Sequence, residues 1–308
     1  MANTLPMDRK ARIIACLCDG VSIRGTARLT EADKETVMRL GRVIGEGCAR
    51  FHDRTMRELR CSYLQLDEQW SFVHTKQGHL HSESRDTHGD EWTFLAMDIA
   101  SRAHVSYLVG KRTAENAQAL AKDVRARVVG RPMIAADGFK PYVDAVEGAF
   151  GAEVDFAQLV KLYSDDQPGP QEHRVKYKGA VKVSITGRPD LNRIGTTYIE
   201  RANLTTRMQQ RRFTRETNTF SKRIENHRAA VALHVVWYNF CWVVSTLRVT
   251  PAMALGLTDH VWTVEELIRA AESATPEPAP PPRLKSVPNP VQMTLPGMPH
   301  LRIVKGGR

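Results

Sequence analysis

Along its first sixty residues the chain repeats apolar side chains at helical spacing. In MDRKARIIACLCDG, Ile13, Ile14, Leu17 and Cys18 fall near one face, and the run stops at Gly20, where a helix C-terminal glycine belongs. Ser22 is placed to cap a short element, VSIRGTARLT. EADKETVMRLGRVIGEGCARF then continues as a longer helix with Val37, Leu40, Ile44 and Cys48 along one stripe. From Ser62 the pattern changes to strands. SYLQLDEQWSFV and EWTFLAMDIASRAHVSYLVG are rich in aromatic and β-branched residues, and the second breaks at DIASR into two antiparallel strands. TAENAQALAKDVRARVV predicts an amphipathic helix over Ala117, Leu120, Ala121 and Val124. PMIAAD is a short buried strand stopped by Gly138, KPYVDAVEGAF a helix, and EVDFAQLVKLY a further strand.

From Thr196 to Thr250 there is no Gly or Pro, which permits one long helix or two with a break near TRETNTF. AAVALHVVWYNFCWVV within it is apolar enough to be buried, and sixteen residues argue for core rather than membrane. Three strands, helix, strand, helix, strand and final helix form an α/β order with a mixed sheet, which fits a ribonuclease-H-like core. The helix, tight turn and longer helix before it are the parts of an all-α helix-turn-helix domain, whose later helix would bring Lys34, Thr36, Arg39 and Arg42 to DNA. A helical bundle used for dimerisation is the alternative. The expected division is residues 1–60 for the helix-turn-helix, 61–235 for the catalytic core, 236–273 for a C-terminal helical extension, and 274–308 for a proline-rich flexible tail.

Composition adds a partner class. A net charge of +10 and a pI near 9.5 make a polyanion, most plausibly nucleic acid, the default partner. The charge is concentrated: Glu200 to Arg228 holds many more basic than acidic residues, and EHRVKYKGAVKVSITGRP before it is also basic. No run of about 18 apolar residues occurs and the N-terminus lacks an apolar signal core, so no membrane partner and a cytoplasmic, nucleoid-associated location are expected. Cys16, Cys18, Cys48, Cys61 and Cys241 form no CxxC pair and read as reduced core residues. HTKQGHLHSESRDTHGDE could bind a metal through its four histidines and four acids, but it reads better as a polar hairpin connection.

Three carboxylates stand out. Asp67 lies inside the first strand, where a charge is costly to bury without a partner or a metal. Its neighbour Glu68 is expected on the opposite, solvated face. Asp137 closes the fourth strand, where strand ends meet a crevice in an open α/β sheet. Glu200 stands in the first turn of the final helix, which could bring it beside the other two. Singly, Asp67 could pair with an arginine, Asp137 cap the next helix and Glu200 favour the helix dipole.

LDEQWSFV, YLVGKRTAENA, AADGFKPYVDAVEGAFG, VDFAQLVKLY, TTYIERANLTTRMQQRRFTRETNTFSKRIENH and LRVTPAMALGLTDHVWTVEEL resemble bacterial DDE transposases of the insertion-sequence-one family (InsB-like) over roughly residues 20 to 267. The resemblance implies that Asp67, Asp137 and Glu200 form a catalytic, metal-binding triad for Mg²⁺ or Mn²⁺. It also implies strand cleavage at the ends of a mobile element and joining of the freed 3′-OH to target DNA. A basic residue two helical turns after the third acid belongs to the pattern. Arg207 takes that place on the face shared with Glu200, Asn203 and Leu204. Candidate DNA-binding residues are Lys34, Arg39, Arg42, Lys140, Arg201, Asn203, Arg207 and Arg211, and binding of transposon ends and target implies a homodimer or higher oligomer. Two departures appear: the chain carries no N-terminal zinc finger, and Trp242 and Val244 stand after YNF where related sequences carry Arg and His. A non-enzymatic DNA-binding regulator, or a nuclease without strand transfer, would share much of this pattern.

Overall fold

A central strand with no solvated side organises the molecule. β1 (Tyr63–Val73) buries Leu64 and Leu66 on one face, and on the other carries a polar row of Tyr63, Gln65, Asp67, Gln69 and Ser71. The structure, a computed structural model, describes residues 5–81, 83–163, 177–214, 217–274, 293–295 and 298–303. It divides into one unit over Met1–Thr275 and a second over Pro276–Arg308.

In the first unit, α1 (Met7–Cys18), α2 (Ile23–Leu29) and α3 (Lys34–Thr55) precede the sheet. Ser22 accepts from the Gly25 amide and caps α2 as expected, while Asp33 accepts from the Glu35 amide and caps α3. α3 therefore begins three residues later than its apolar pattern suggests, because Glu31 takes a left-handed φ of 52° and Asp33 the capping position. β1 is joined to β2 (Gly89–Asp98) by the histidine-rich segment, which is a hairpin connection, and β3 (His104–Gly110) follows. Then come α4 (Ala114–Arg127), β4 (Met133–Asp137), α5 (Pro141–Phe150), β5 (Asp155–Tyr163) and β6 (Tyr177–Thr186).

The strand order is β3-β2-β1-β4-β5-β6, with β1 parallel to β4, β4 parallel to β5, and antiparallel pairing elsewhere. β6 is an addition to the expected five strands. Most of its residues are exposed, so the apolar alternation that marks a half-buried strand is weak there. Leu64, Leu66, Phe94, Ile134 and Phe156 pack under α4 and α5 through Leu120, Val124, Tyr142 and Val146.

Of the two arrangements left open for residues 196–250, the chain takes the broken one, with α6 (Thr197–Gln209) and α7 (Ile224–Phe240). Part of the connection lies at the expected break and holds residues 215–216, outside those described. Ser221 pairs with Val73 at the end of β1, and its carbonyl accepts from the His74 amide at 2.8 Å, so the chain returns to the sheet before α7 starts. α7 is buried along most of its length. Its Asn239, fully buried, receives the His104 amide at 2.9 Å and donates to the His104 carbonyl at 3.0 Å. Those two bonds occupy the outward-facing backbone groups of His104 at the start of the edge strand β3. The apolar segment expected to be buried through Val244 leaves the helix after Phe240, and Trp242 and Val243 are partly exposed.

α8 (Pro251–Ala254) and α9 (Val264–Ala274) complete the unit. Ile14 and Cys18 of α1, Ile44 and Cys48 of α3, Val236 and Phe240 of α7, and Leu267 and Ile268 of α9 share one core. Gly45 and Gly47 of α3 allow this approach: a Cβ would stand 2.2 Å from the Ala229 carbonyl oxygen at Gly45 and 2.4 Å from that of Ala271 at Gly47. All five cysteines are free thiols, three of them buried. No helix among the described residues is long and apolar enough to cross a membrane.

In the second unit, β7 (Met293–Leu295) pairs antiparallel with β8 (Met298–Ile303). The pair lies within the expected proline-rich tail, of which residues 275–292, 296–297 and 304–308 lie outside the described ones.

Candidate metal centre

β1 continues to Val73, well past the level at which β4 ends at Asp137. Leu66 is the last residue paired across the two strands, with Ala136, so Asp67 and Asp137 follow side by side at the mouth of a parallel pair. Beyond Leu66 and Ala136 the β1–β4 pairing ends, while β1 stays paired to β2. Asp67, Glu68 and Asp137 each place a carboxylate oxygen within 4.8 Å of the others.

The polar row of β1 is what docks α6 beside this cluster. Tyr63 donates to the Arg193 carbonyl at 2.8 Å, and Gln65 accepts from the Ile199 amide in the first turn of α6 at 3.1 Å. Asn203 donates to Asp67 Oδ2 at 2.7 Å, while Gln69 donates to the Asn203 carbonyl at 3.0 Å. Ser71 meets the buried His227 ring of α7 at 3.1 Å. Each polar side chain on this face of β1 thus finds a partner on the covering layer, which fixes how α6 lies across the sheet.

Asn203 is a correction. It was expected to touch DNA, but it is buried and holds Asp67, because the α6 face that meets the sheet is the one carrying Ile199, Ala202, Asn203 and Thr206. Glu68 is a second correction. Its side chain is 1% exposed rather than solvated, because α4 and α5 cover the face of β1 to which it points. Arg112, in the link from β3 to α4, donates to Glu68 Oε2 through Nε and Nη2 at 3.0 Å and lies 3.9 Å from Asp137. The Arg112 guanidinium lies over the Phe139 ring at 4.0 Å and the Trp92 ring at 5.1 Å.

Glu200 stands in the first turn of α6 as expected, outside the three-carboxylate group. It is half-exposed, bonded to Lys161 of β5 at 2.7 Å and to the Thr196 hydroxyl at 2.9 Å. It is still near enough to act on Asp67. Burial, then the charges of Asp137, Glu68 and Glu200, push the Asp67 carboxyl from 3.8 up to about 7. Burial and the Asp137 charge also raise Glu68, against the opposing pull of the Tyr142 hydroxyl and then of Arg112. Burial works against the Lys161 charge, but its bond to Glu200 raises it overall. Asp137 also accepts from the Phe139 amide at 3.0 Å, so its capping role and its place in the cluster coexist.

Asp137 of the cluster lines a cleft of about 640 Å³ together with Arg112, Phe139, Lys140, Lys161 and Tyr163. Lys140, Arg201 and Arg211 are exposed, and Arg207 is half-buried in the last turn of α6. Lys34, Arg39 and Arg42 are exposed on α3, with Lys34 paired to Glu35 and Arg42 to Glu46. The donor set suits a hard divalent cation: oxygen ligands, partly dehydrated, with more negative charge than the nearby arginine balances. Arg112, Asn203 and Lys161 are the site residues whose roles were not visible in the sequence. The clue to Glu68 was its register, since it shares the face of β1 that carries the buried Leu64 and Leu66, where a solvated charge has no place; Asn203 carried no comparable local signal.

No family model matches the chain, and no curated protein sequence matches it. Among solved structures it is similar to piggyBac transposase in a synaptic complex with hairpin DNA, at 12% identity and a TM-score of 0.32, over 70% of this chain and 52% of that one. It is similar to Mos1 transposase in a paired-end complex with the left transposon end, at 14% identity and 0.20, over 48% and 58%. The Mos1 strand transfer complex gives 13% and 0.20, over 77% and 79%. The chain spans about half the length of the piggyBac chain. Likeness this slight assigns no activity.

Proposed function

We propose that the chain is a metal-dependent transposase with a ribonuclease-H-like core, acting on DNA ends as the DDE enzymes of the insertion-sequence-one family do. The observation that supports this most strongly is the convergence of Asp67 and Asp137 at the open end of the parallel pair β1 and β4, with the acid-bearing helix α6 docked over them. The strand order and the motif resemblance agree with it.

Asp67 and Asp137 would hold Mg²⁺ or Mn²⁺, and Glu200 would complete the site once Lys161 turns to a DNA phosphate instead. When bound, such ions activate the attacking oxygen and stabilise the leaving one in an in-line displacement at phosphorus. Asn203 orients Asp67, and Arg112 fixes the wall of the cleft. Lys140, Lys161, Arg201, Arg207 and Arg211 would engage backbone phosphates, which sets register without reading bases. α2 and α3 would serve as the helix-turn-helix, with Lys34, Arg39 and Arg42 toward the duplex. Two element ends would need two copies of the chain.

The test is incubation with Mg²⁺ or Mn²⁺ and linear DNA carrying the element's terminal sequences. The proposal expects 3′-end cleavage and joined products. DNA binding without metal-dependent cleavage would favour a regulator, and cleavage without joining a nuclease.

A further inference from the structure

Glu68 is the one strongly buried acid of the site that the proposed triad leaves unused. Arg112 occupies its Oε2, while Oε1 is buried with no hydrogen-bond partner among the described residues. Tyr142 of α5 faces Glu68, yet its hydroxyl is also buried without a hydrogen bond of good geometry. A carboxylate oxygen stripped of water and given no donor is unfavourable unless something else binds it.

Arg112 holds Glu68 in place without satisfying it. The guanidinium is fixed by the Phe139 and Trp92 rings, and its nearest approach to the rest of the cluster is 3.9 Å, to Asp137. Glu68 also offers an oxygen to a group that already carries two other acids, Asp67 and Asp137. The chemical complement of three such oxygens is a hard cation. Ligands on opposite sides of Mg²⁺ stand roughly 4.2 Å apart, and on Ca²⁺ roughly 5 Å. The 4.8 Å spread of Asp67, Glu68 and Asp137 closes on one ion with small side-chain movements.

We propose that Glu68 is a ligand of the cation shared by Asp67 and Asp137, with Arg112 as the residue that positions it. This rests on the metal-dependent reading of the site and adds a ligand that the triad of Asp67, Asp137 and Glu200 lacks. Glu200 is held by Lys161 and Thr196 instead, so binding of this ion in the absence of DNA depends on Glu68 and not on Glu200.

The test is Mn²⁺ binding to the full chain without DNA, by titration calorimetry and by the electron paramagnetic resonance of free Mn²⁺. Glu68→Gln keeps the shape and the acceptor for Arg112. It is expected to weaken binding about tenfold or more, as is Asp137→Asn, while Glu200→Gln stays within about threefold of wild type. Where Glu68→Gln fails to fold, Glu68→Asp retains the charge, retracts the ligand, and is expected to weaken binding as well. Wild-type affinity in a folded Glu68 variant alongside loss in Asp137→Asn would overturn the proposal and leave the metal site standing. Absence of Mn²⁺ binding by wild type would overturn both.

Discussion

The crowding of acids around Asp67 predicts that removing its charge stabilises the metal-free protein. Asp67 is raised from 3.8 to about 7 in the folded state, first by burial and then by Asp137 and Glu68. For an acid raised on folding, the folded state binds the proton more tightly than the unfolded one. The protein therefore loses stability as pH rises from about 4 to about 7, at about 1.4 kcal/mol per unit, or about 4 kcal/mol in all. Asp67→Asn keeps an oxygen for Asn203 and has no such loss. Measured by urea denaturation in EDTA, the variant should match wild type near pH 4 and exceed it by about 2–4 kcal/mol at pH 8, allowing for an imperfect amide fit. A millimolar divalent cation should then stabilise wild type at pH 8 and leave the variant almost unchanged. A stability difference that does not change between pH 4 and pH 8 would refute the claim that folding buries mutually repelling carboxylates here.

Gly45→Ala should lower Tm, because a methyl group 2.2 Å from the Ala229 carbonyl oxygen forces α3 from α7; overpacking of about 1–3 kcal/mol exceeds the helix-propensity gain of up to about 1 kcal/mol. An unchanged or higher Tm would contradict that close approach. Asn239→Leu should cost about 1–3 kcal/mol in denaturant titration, since it strands the buried amide of His104, whose carbonyl keeps the His52 ring as a partner. Affinity for duplex DNA should fall steeply with salt, and Arg201→Ala and Arg211→Ala should each reduce the slope of log K against log salt by about one. A flat salt profile would remove α6 as a DNA surface.

Periodicity made much of the frame legible: the strand pattern of β1 to β5, the helical stripes of α3 and α4, and the break between α6 and α7 follow local apolar spacing and turn residues. β6 escaped because an edge strand exposed over most of its length has little burial to imprint on its sequence. Asp67 and Asp137 were legible as a charge inside an apolar strand and a strand end, and the structure brings them together. Glu68 and Asn203 were misjudged for one shared reason. Their roles depend on which elements cover each face of β1, and that coverage is set by distant segments: α4 and α5 over Glu68, α6 over Asp67. The polar row Tyr63, Gln65, Asp67, Gln69 and Ser71 gave no warning, because the same alternation marks a strand with one face in water, whereas Glu68 on the face of Leu64 and Leu66 broke it.

The most direct test of the account is strand cleavage by wild type and Asp137→Asn on the same DNA ends, in Mg²⁺ and in Mn²⁺. Asp137 lies at the mouth of β4, partly exposed, so its amide variant should fold and bind DNA as wild type does. The account predicts metal-dependent 3′-end cleavage and joining by wild type and a loss of at least about a thousandfold in the variant, in line with removal of a group that stabilises transition-state charge. Cleavage by Asp137→Asn at the wild-type rate would contradict it.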